Sequence, residues 1–382
     1  GRPDCKVASI NWGPWEGGMV TPALKRVFEQ RGIGLIPAQI GADCLVREMG
    51  TGTDGPVEVV IGNQVTMNEN VAAAPQPIVE KTVDPPEDLN LAFRREVDLH
   101  RYPILNSHVL DGRPVVPFAL MTEWFAHGAL HENPGLIMHG IDDMRLLKGI
   151  RMDGGSKTIR LMAGKARRNE NQYEVPVELR DGMKDEVEVV HSRGTAILVE
   201  SLNQAPVFIP PSELTAIPYP RSIDDVYETI LFHGEHLRGL KNIQGLMDRG
   251  MVAEINSAPQ PEHWMTEPLR SDWIADPLAL DTAFQMASVW CYEQKGMVSL
   301  PSYTASYRQF TQHFPSEGLK VILQVREVTS RKMIGDFTFI DSDYSVIARL
   351  SGYEAVMDPS LYQSFKPNMT HASGLKKGLS AA

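Results

Sequence analysis

The chain has 382 residues, 42% of them hydrophobic, enough to bury the cores of two or three domains. A formal charge of −11 and a pI near 5.5 provide no basic stripe of the kind a nucleic-acid interface needs. Three scattered cysteines form neither a disulfide framework nor a zinc motif and point to a reducing cytoplasm, and no apolar run reaches the ~18–20 residues of a membrane span.

Residues 1–65 read as a strand at Val7–Asn11, turns at Gly13-Pro14 and Gly17-Gly18, helices at Pro22–Gln30 and Pro37–Met49, and a strand at Val57–Ile61. This β-α-α-β order predicts the end of an α/β domain. Because Lys6–Asn11 already has the character of a buried strand, the chain is expected to begin inside something larger. Residues 66–88 contain Ala72-Ala73-Ala74-Pro75 and Pro85-Pro86 and predict a linker.

From 89 to 215, a loop-and-strand entry leads to one clear helix after Pro117, over Phe118–Leu130. Period-2 alternation then predicts strands at Lys157–Ala163, Tyr173–Leu179 and Glu186–Val199. The same plan recurs over 216–360, with a helix at Asp276–Gln294 and strands at Leu319–Val328, Met333–Ile340 and Ser345–Met357. Residues 361–382 read as a flexible tail, polar and small from 366 on.

One long helix followed by an antiparallel meander, twice over, is the organising feature. Phe118, Ala119, Leu120, Met121, Trp124 and Phe125 make the first helix apolar on most sides. Leu278, Leu280, Ala283, Phe284, Met286, Ala287, Val289 and Trp290 do the same for the second. Each helix is therefore expected inside a wrapping sheet. The fold class predicted is α+β, a double hotdog with two antiparallel sheets, each around a central helix, preceded by a partial α/β segment.

Two constellations carry chemistry. His108 is followed by Gly112 and Pro117 just before the first helix, a pattern that places an imidazole near free backbone N–H groups at a helix start. Asp281 and Gln285 lie four apart on the second helix in almost wholly apolar surroundings. A carboxyl there has either a strong polar partner, such as an arginine, or a raised pKa that keeps a proton available near neutral pH. His127 and His131 have metal-like i, i+4 spacing but no third ligand, so no metal site is expected. Arg94-Arg95, Lys165 to Arg168 and Arg331-Lys332 are basic clusters that suit either an acidic protein partner or solvated strand ends.

His108-xxx-Gly112-xxxx-Pro117 together with Asp281-xxx-Gln285 resembles the dehydratase domain of type I polyketide synthases over residues 89–360. Ser9-Ile-Asn-Trp-Gly-Pro-Trp-Glu-Gly-Gly-Met19 and Arg31-Gly-Ile-Gly-Leu-Ile-Pro37 resemble the C-terminal end of that family's ketoreductase, where Trp12 and Trp15 would border a cleft. Leu231-Phe-His-Gly-Glu-His-Leu-Arg-Gly-Leu240 is similar to the Tyr-xx-Gly-xxx-Gly-Pro loop, in the form found in polyunsaturated fatty acid synthase-like iterative synthases. Glu235 departs from the usual proline there, which bears on the shape of the loop.

The resemblance implies dehydration of a 3-hydroxyacyl thioester carried on the phosphopantetheine arm of an acyl carrier protein, with no other cofactor. His108 would be the base at C2, Asp281 the acid at the C3 hydroxyl, and Gln285 an orienting group. Gly112 and the helix beginning at Pro117 would polarise the thioester. His233 and His236, flanking Gly234, have two readings: His233 and Gly234 as substrate contacts lining an acyl tunnel, or the histidines as loop structure. The implied partners are the carrier protein, other domains of the same synthase and a second copy in a homodimer. Double-bond isomerisation, templated cyclisation or a silent dimer scaffold are the alternatives on the same fold.

Overall fold

The computed structural model describes residues 9–12, 15, 35–49, 58–61, 89–184, 187–209 and 218–365. The chain divides into two units, Gly1–Thr82 and Val83–Ala382. In the first, β1 (Ser9–Trp12) pairs in parallel with β2 (Glu58–Ile61), with α1 (Ala38–Met49) between them in sequence. Parallel strands joined through a helix are the α/β arrangement expected. The Trp12 and Trp15 rings lie 4.8 Å apart. The helix expected at Pro22–Gln30 and the linker at 66–88 lie outside the described residues.

In the second unit, β3 (Asn90–Val97) and a hairpin of β4 (Val109–Leu110) and β5 (Arg113–Pro114) precede α2, Phe118–His131. Pro117 is the N-cap, with extended ψ and φ of −59°, so the helix starts at Phe118. Eleven of its fourteen residues are buried, which matches the absence of a polar face. The strands that wrap it are β3, β6 (Ile137–Leu146), β7 (Lys157–Ala163), β9 (Gln172–Lys184) and β10 (Val187–Val199), with short β8 (Arg167–Asn169) paired to β9.

The second half repeats the plan. A short α3 (Ile223–Thr229), β11 (Leu240–Met247) and β12 (Gly250–Ile255) lead to α4, Pro277–Lys295. Asp276 caps α4 by accepting the Ala279 N–H at 2.8 Å, and Gly296 closes it in the left-handed region at φ 68°. Strands β13 (Ser299–Gln309), β14 (Leu319–Val328), β15 (Lys332–Ile340) and β16 (Val346–Met357) complete the second wrap. Phe118 of α2 meets Phe284 of α4 with ring centroids 5.9 Å apart.

The two hotdogs lie side by side in one continuous sheet. The two wraps are a single twelve-stranded sheet, because β13 pairs with β6 from Tyr303↔Arg145 to Arg308↔Gly140. Gly140 permits that junction: a Cβ there would stand 1.9 Å from the Tyr307 carbonyl oxygen. Arg308 spans it with two bonds to the Asp142 carboxylate, at 2.7 and 2.8 Å. One correction concerns the tail, since Leu361–Phe365 forms a helical turn with Phe365 fully buried. Leu361 and Tyr362 pack against the same core and help to anchor it.

Candidate active site

The segment around His108 is built by a tight reversal. The His108 N–H donates to Leu105 O at 3.1 Å, and the β4–β5 hairpin then turns at Asp111 and Gly112, both with positive φ, at 52° and 70°. An Asp-Gly pair suits this two-residue turn because glycine adopts the left-handed region without strain. The return strand brings Val115 opposite His108: the Val115 N–H donates to His108 O, and Val115 O accepts from His108 Nδ1 at 2.7 Å. A carbonyl only accepts, so the neutral ring carries its proton on Nδ1 and leaves Nε2 as a bare lone pair. Burial drives the His108 pKa down to about 4, against the opposing pull of the Val115 bond.

Asp281 sits in the second turn of α4 and is 3% exposed. Burial raises its pKa to about 7, and the bond from Gln285 acts in the other direction. Gln285, one helical turn later, donates from Nε2 to Asp281 Oδ2 and to Leu237 O, each at 2.8 Å. Its Oε1 accepts from the Tyr227 hydroxyl at 2.7 Å, and that hydroxyl accepts the Leu240 N–H at 3.0 Å. Gln285 thus holds the carboxyl group, and its own polar atoms are committed to protein partners.

The loop at 231–240 adds a third titratable side chain. His233 pairs with His108 in an isolated antiparallel bridge, and its Nε2 lies 3.3 Å from Asp281 Oδ2. Its Nδ1 is buried without a hydrogen-bond partner, and burial holds its pKa well below the usual imidazole range. Gly234 locks the loop in place: its N–H donates to Ser107 O at 2.8 Å, and a Cβ would meet Ser107 Cα at 2.9 Å. The loop closes with exposed Glu235 where proline is usual, opening a short 3-10 turn over Glu235–Leu237.

His108, His233 and Asp281 offer ligand-type atoms that all lie within 4.8 Å of one another. They share the wall of a cavity of about 240 Å³ with Gln285 and with apolar Leu110, Val116, Phe118, Phe284 and Leu300. Three expected site residues are not on that wall. Gly112 is at the exposed hairpin tip, where its turn geometry explains it; Pro117 is buried as the α2 cap; Gly234 works through Ser107. Arg151, Ser288 and Ser299 line the cavity without any sequence signal that singles them out. His127 is paired with Glu123 at 2.9 Å, and Glu123 also accepts the Ile274 and Ala275 N–H groups.

Residues 208–359 match the family described as the polyketide synthase dehydratase N-terminal domain. The chain is 27% identical over 311 residues, 81% of its length, to a polyunsaturated fatty acid synthase polypeptide of Thraustochytrium sp., and it spans about a tenth of that curated relative. The dehydratase domain from the CurF module of curacin polyketide synthase superposes with a TM-score of 0.57 at 16% identity, covering 70% of this chain and 92% of that one. CurK dehydratase superposes with a TM-score of 0.54 at 16% identity, covering about 70% of this chain and 92% of that one, and its solved histidine-to-phenylalanine and aspartate-to-asparagine variants are both described as inactive.

Proposed function

We propose that this double hotdog, which is similar to polyketide synthase dehydratase domains, removes water from a 3-hydroxyacyl thioester to give the 2-enoyl thioester. The observation that carries the reading is the convergence of His108 from one hotdog and Asp281 from the other on a single apolar-walled cavity.

His108 Nε2 takes the proton from C2, the C2–H electrons become the C2=C3 bond, and the C3–O bond breaks. Asp281 gives its proton to the departing hydroxyl, which leaves as water. The imidazolium and the carboxylate so formed are restored by passing one proton back between them. The fold suits both groups to these roles: the Val115 carbonyl orients the base, and burial keeps the acid supplied with a proton. In this reading the thioester oxygen lies near the start of α2, where Phe118 lines the cavity and the Phe118 and Ala119 N–H groups precede the first bonds to the Pro117 carbonyl. Gly112, exposed at its hairpin tip, is left out of this step.

The acyl group arrives on the phosphopantetheine arm of an acyl carrier protein, within a larger dimeric synthase. The reductase-like reading of residues 1–65 fits that setting, and among the described residues no helix is long and apolar enough to cross a membrane. A base, an acid and an electrostatic clamp suffice for elimination beside a carbonyl. The test follows 3-hydroxyacyl-pantetheine by mass spectrometry with wild type, His108→Ala and Asp281→Asn. Loss of water by wild type, reduced at least ~100-fold in each variant, is the expected result. Conversion of a supplied 2-enoyl-pantetheine to its 3-enoyl isomer, with no loss of water from the 3-hydroxyacyl form, would replace dehydration by isomerisation.

A further inference from the structure

The elimination uses one imidazole and one carboxyl group, yet the site contains a second imidazole. His233 comes from a loop far from both partners in sequence, is 8% exposed, and keeps a buried Nδ1 without a partner. From this surplus we infer that His108, His233 and Asp281 form a binding site for one divalent ion of the zinc class, which blocks the site reversibly.

The geometry is close to what such an ion requires. Bonds of about 2.0–2.1 Å to nitrogen and oxygen in a tetrahedron place neighbouring ligand atoms roughly 3.3 Å apart. His233 Nε2 and Asp281 Oδ2 already stand at 3.3 Å, and the third ligand atom lies within 4.8 Å of both. Two imidazoles and one carboxylate are a donor set that favours zinc, copper or cobalt over magnesium or calcium, which prefer all-oxygen shells.

Two of the three ligands also have supporting outer contacts. A metal-binding histidine typically donates its other ring N–H to a carbonyl or carboxylate, as His108 does to Val115 O. The Asp281 carboxyl is steadied by Gln285 Nε2, itself tied to Leu237 O. The cavity of about 240 Å³ leaves room for a water molecule as fourth ligand. Once bound, the ion occupies the His108 lone pair and displaces the acidic proton of Asp281, so it competes with substrate.

Binding stands on geometry alone; only the block of turnover rests on the dehydratase reading. The full chain, stripped with a chelator, is titrated with Zn²⁺ against a metal indicator and with Co²⁺ by visible absorption. Expected are one tight equivalent, intense four-coordinate Co²⁺ bands, and affinity at least about tenfold weaker in His233→Ala, His233→Gln and Asp281→Asn, each checked for folding by circular dichroism. Excess Mg²⁺ should not displace the ion. Weak six-coordinate Co²⁺ bands in wild type, or tight binding unchanged in folded variants, would overturn the inference. Zn²⁺ bound as expected by a protein that never releases water would leave the site standing and remove the proposed function; Zn²⁺-insensitive loss of water would do the reverse.

Discussion

Replacing Gly140 by alanine tests the joint on which the site depends. Gly140 pairs with Arg308 at the seam between β6 and β13, and an added Cβ would lie 1.9 Å from Tyr307 O, 2.9 Å from Tyr307 C and 3.0 Å from Arg308 Cδ. The nearest two atoms belong to backbone, so rotamer changes give no relief. To restore an ordinary carbon–oxygen contact, the strands must part by more than ~1 Å, straining about two ladder hydrogen bonds in a buried seam. At ~1–3 kcal/mol for each such bond, the loss is roughly 2–6 kcal/mol. At about 2–4 °C per kcal/mol for a domain of this size class, Tm falls by roughly 4–24 °C. Because His108 and Asp281 belong to opposite sides of the seam, turnover should also fall well below the variant's Tm. Denaturant unfolding and the water-loss assay measure the two effects. Gly155→Ala is the control, since nothing lies within 4 Å of a Cβ there, and it should stay within ~0.5 kcal/mol of wild type. A Gly140→Ala protein as stable and active as Gly155→Ala would refute the reasoning.

Three further outcomes are expected. Gly234→Ala pushes the His233 loop off Ser107, costing ~1–3 kcal/mol in unfolding experiments and lowering kcat more than it raises KM; unchanged kinetics would show that the loop's seating is unimportant. Phe365→Ala removes a fully buried ring 4.6 Å from that of Phe232 and should cost ~3–5 kcal/mol, whereas a removable tail would show no change. Burial lifts the Asp276 carboxyl from 3.8 to about 6. The folded protein then holds this proton more tightly than the unfolded chain, so the contribution is present below about pH 4 and lost as pH rises through about 6. Relative to wild type, Asp276→Asn should therefore gain about 3 kcal/mol between pH 4 and pH 7; a flat difference would contradict the shift.

The helices are legible because period and burial agree: Phe118–Leu130 differs from the observed helix by one residue at its C-terminal end, and Asp276–Gln294 by one residue at each end. Strands with clean alternation, such as Lys157–Ala163 and Leu319–Val328, were equally visible. The seam strands were not. Ile137–Leu146 contains Gly140, Asp142 and Asp143 and does not alternate, while Ser299–Gln309 is polar and carries Pro301 at a register shift. Each is a strand because it pairs on both sides, with its own half (β10 or β16) and across the seam, which neither sequence reveals alone.

The site shows the same division. His108, Asp281 and Gln285 stand out through spacing and local apolarity. Gly112 was assigned to the substrate because the motif does not distinguish a turn glycine from one that approaches a ligand. Nothing in the spacing of His233 links it to Asp281; its position there depends on Gly234 reaching Ser107, a contact between segments far apart in sequence.

The central claim is that one base and one acid, contributed by two hotdogs, expel water from a 3-hydroxyacyl thioester. The most direct measurement incubates the chelator-treated chain with 3-hydroxyacyl thioesters of short, medium and long acyl chains and follows loss of water by mass. Wild type should form the 2-enoyl thioester, and folded His108→Ala and Asp281→Asn should each be at least ~100-fold slower. No loss of water from any chain length, or full activity without the His108 imidazole, would contradict the claim.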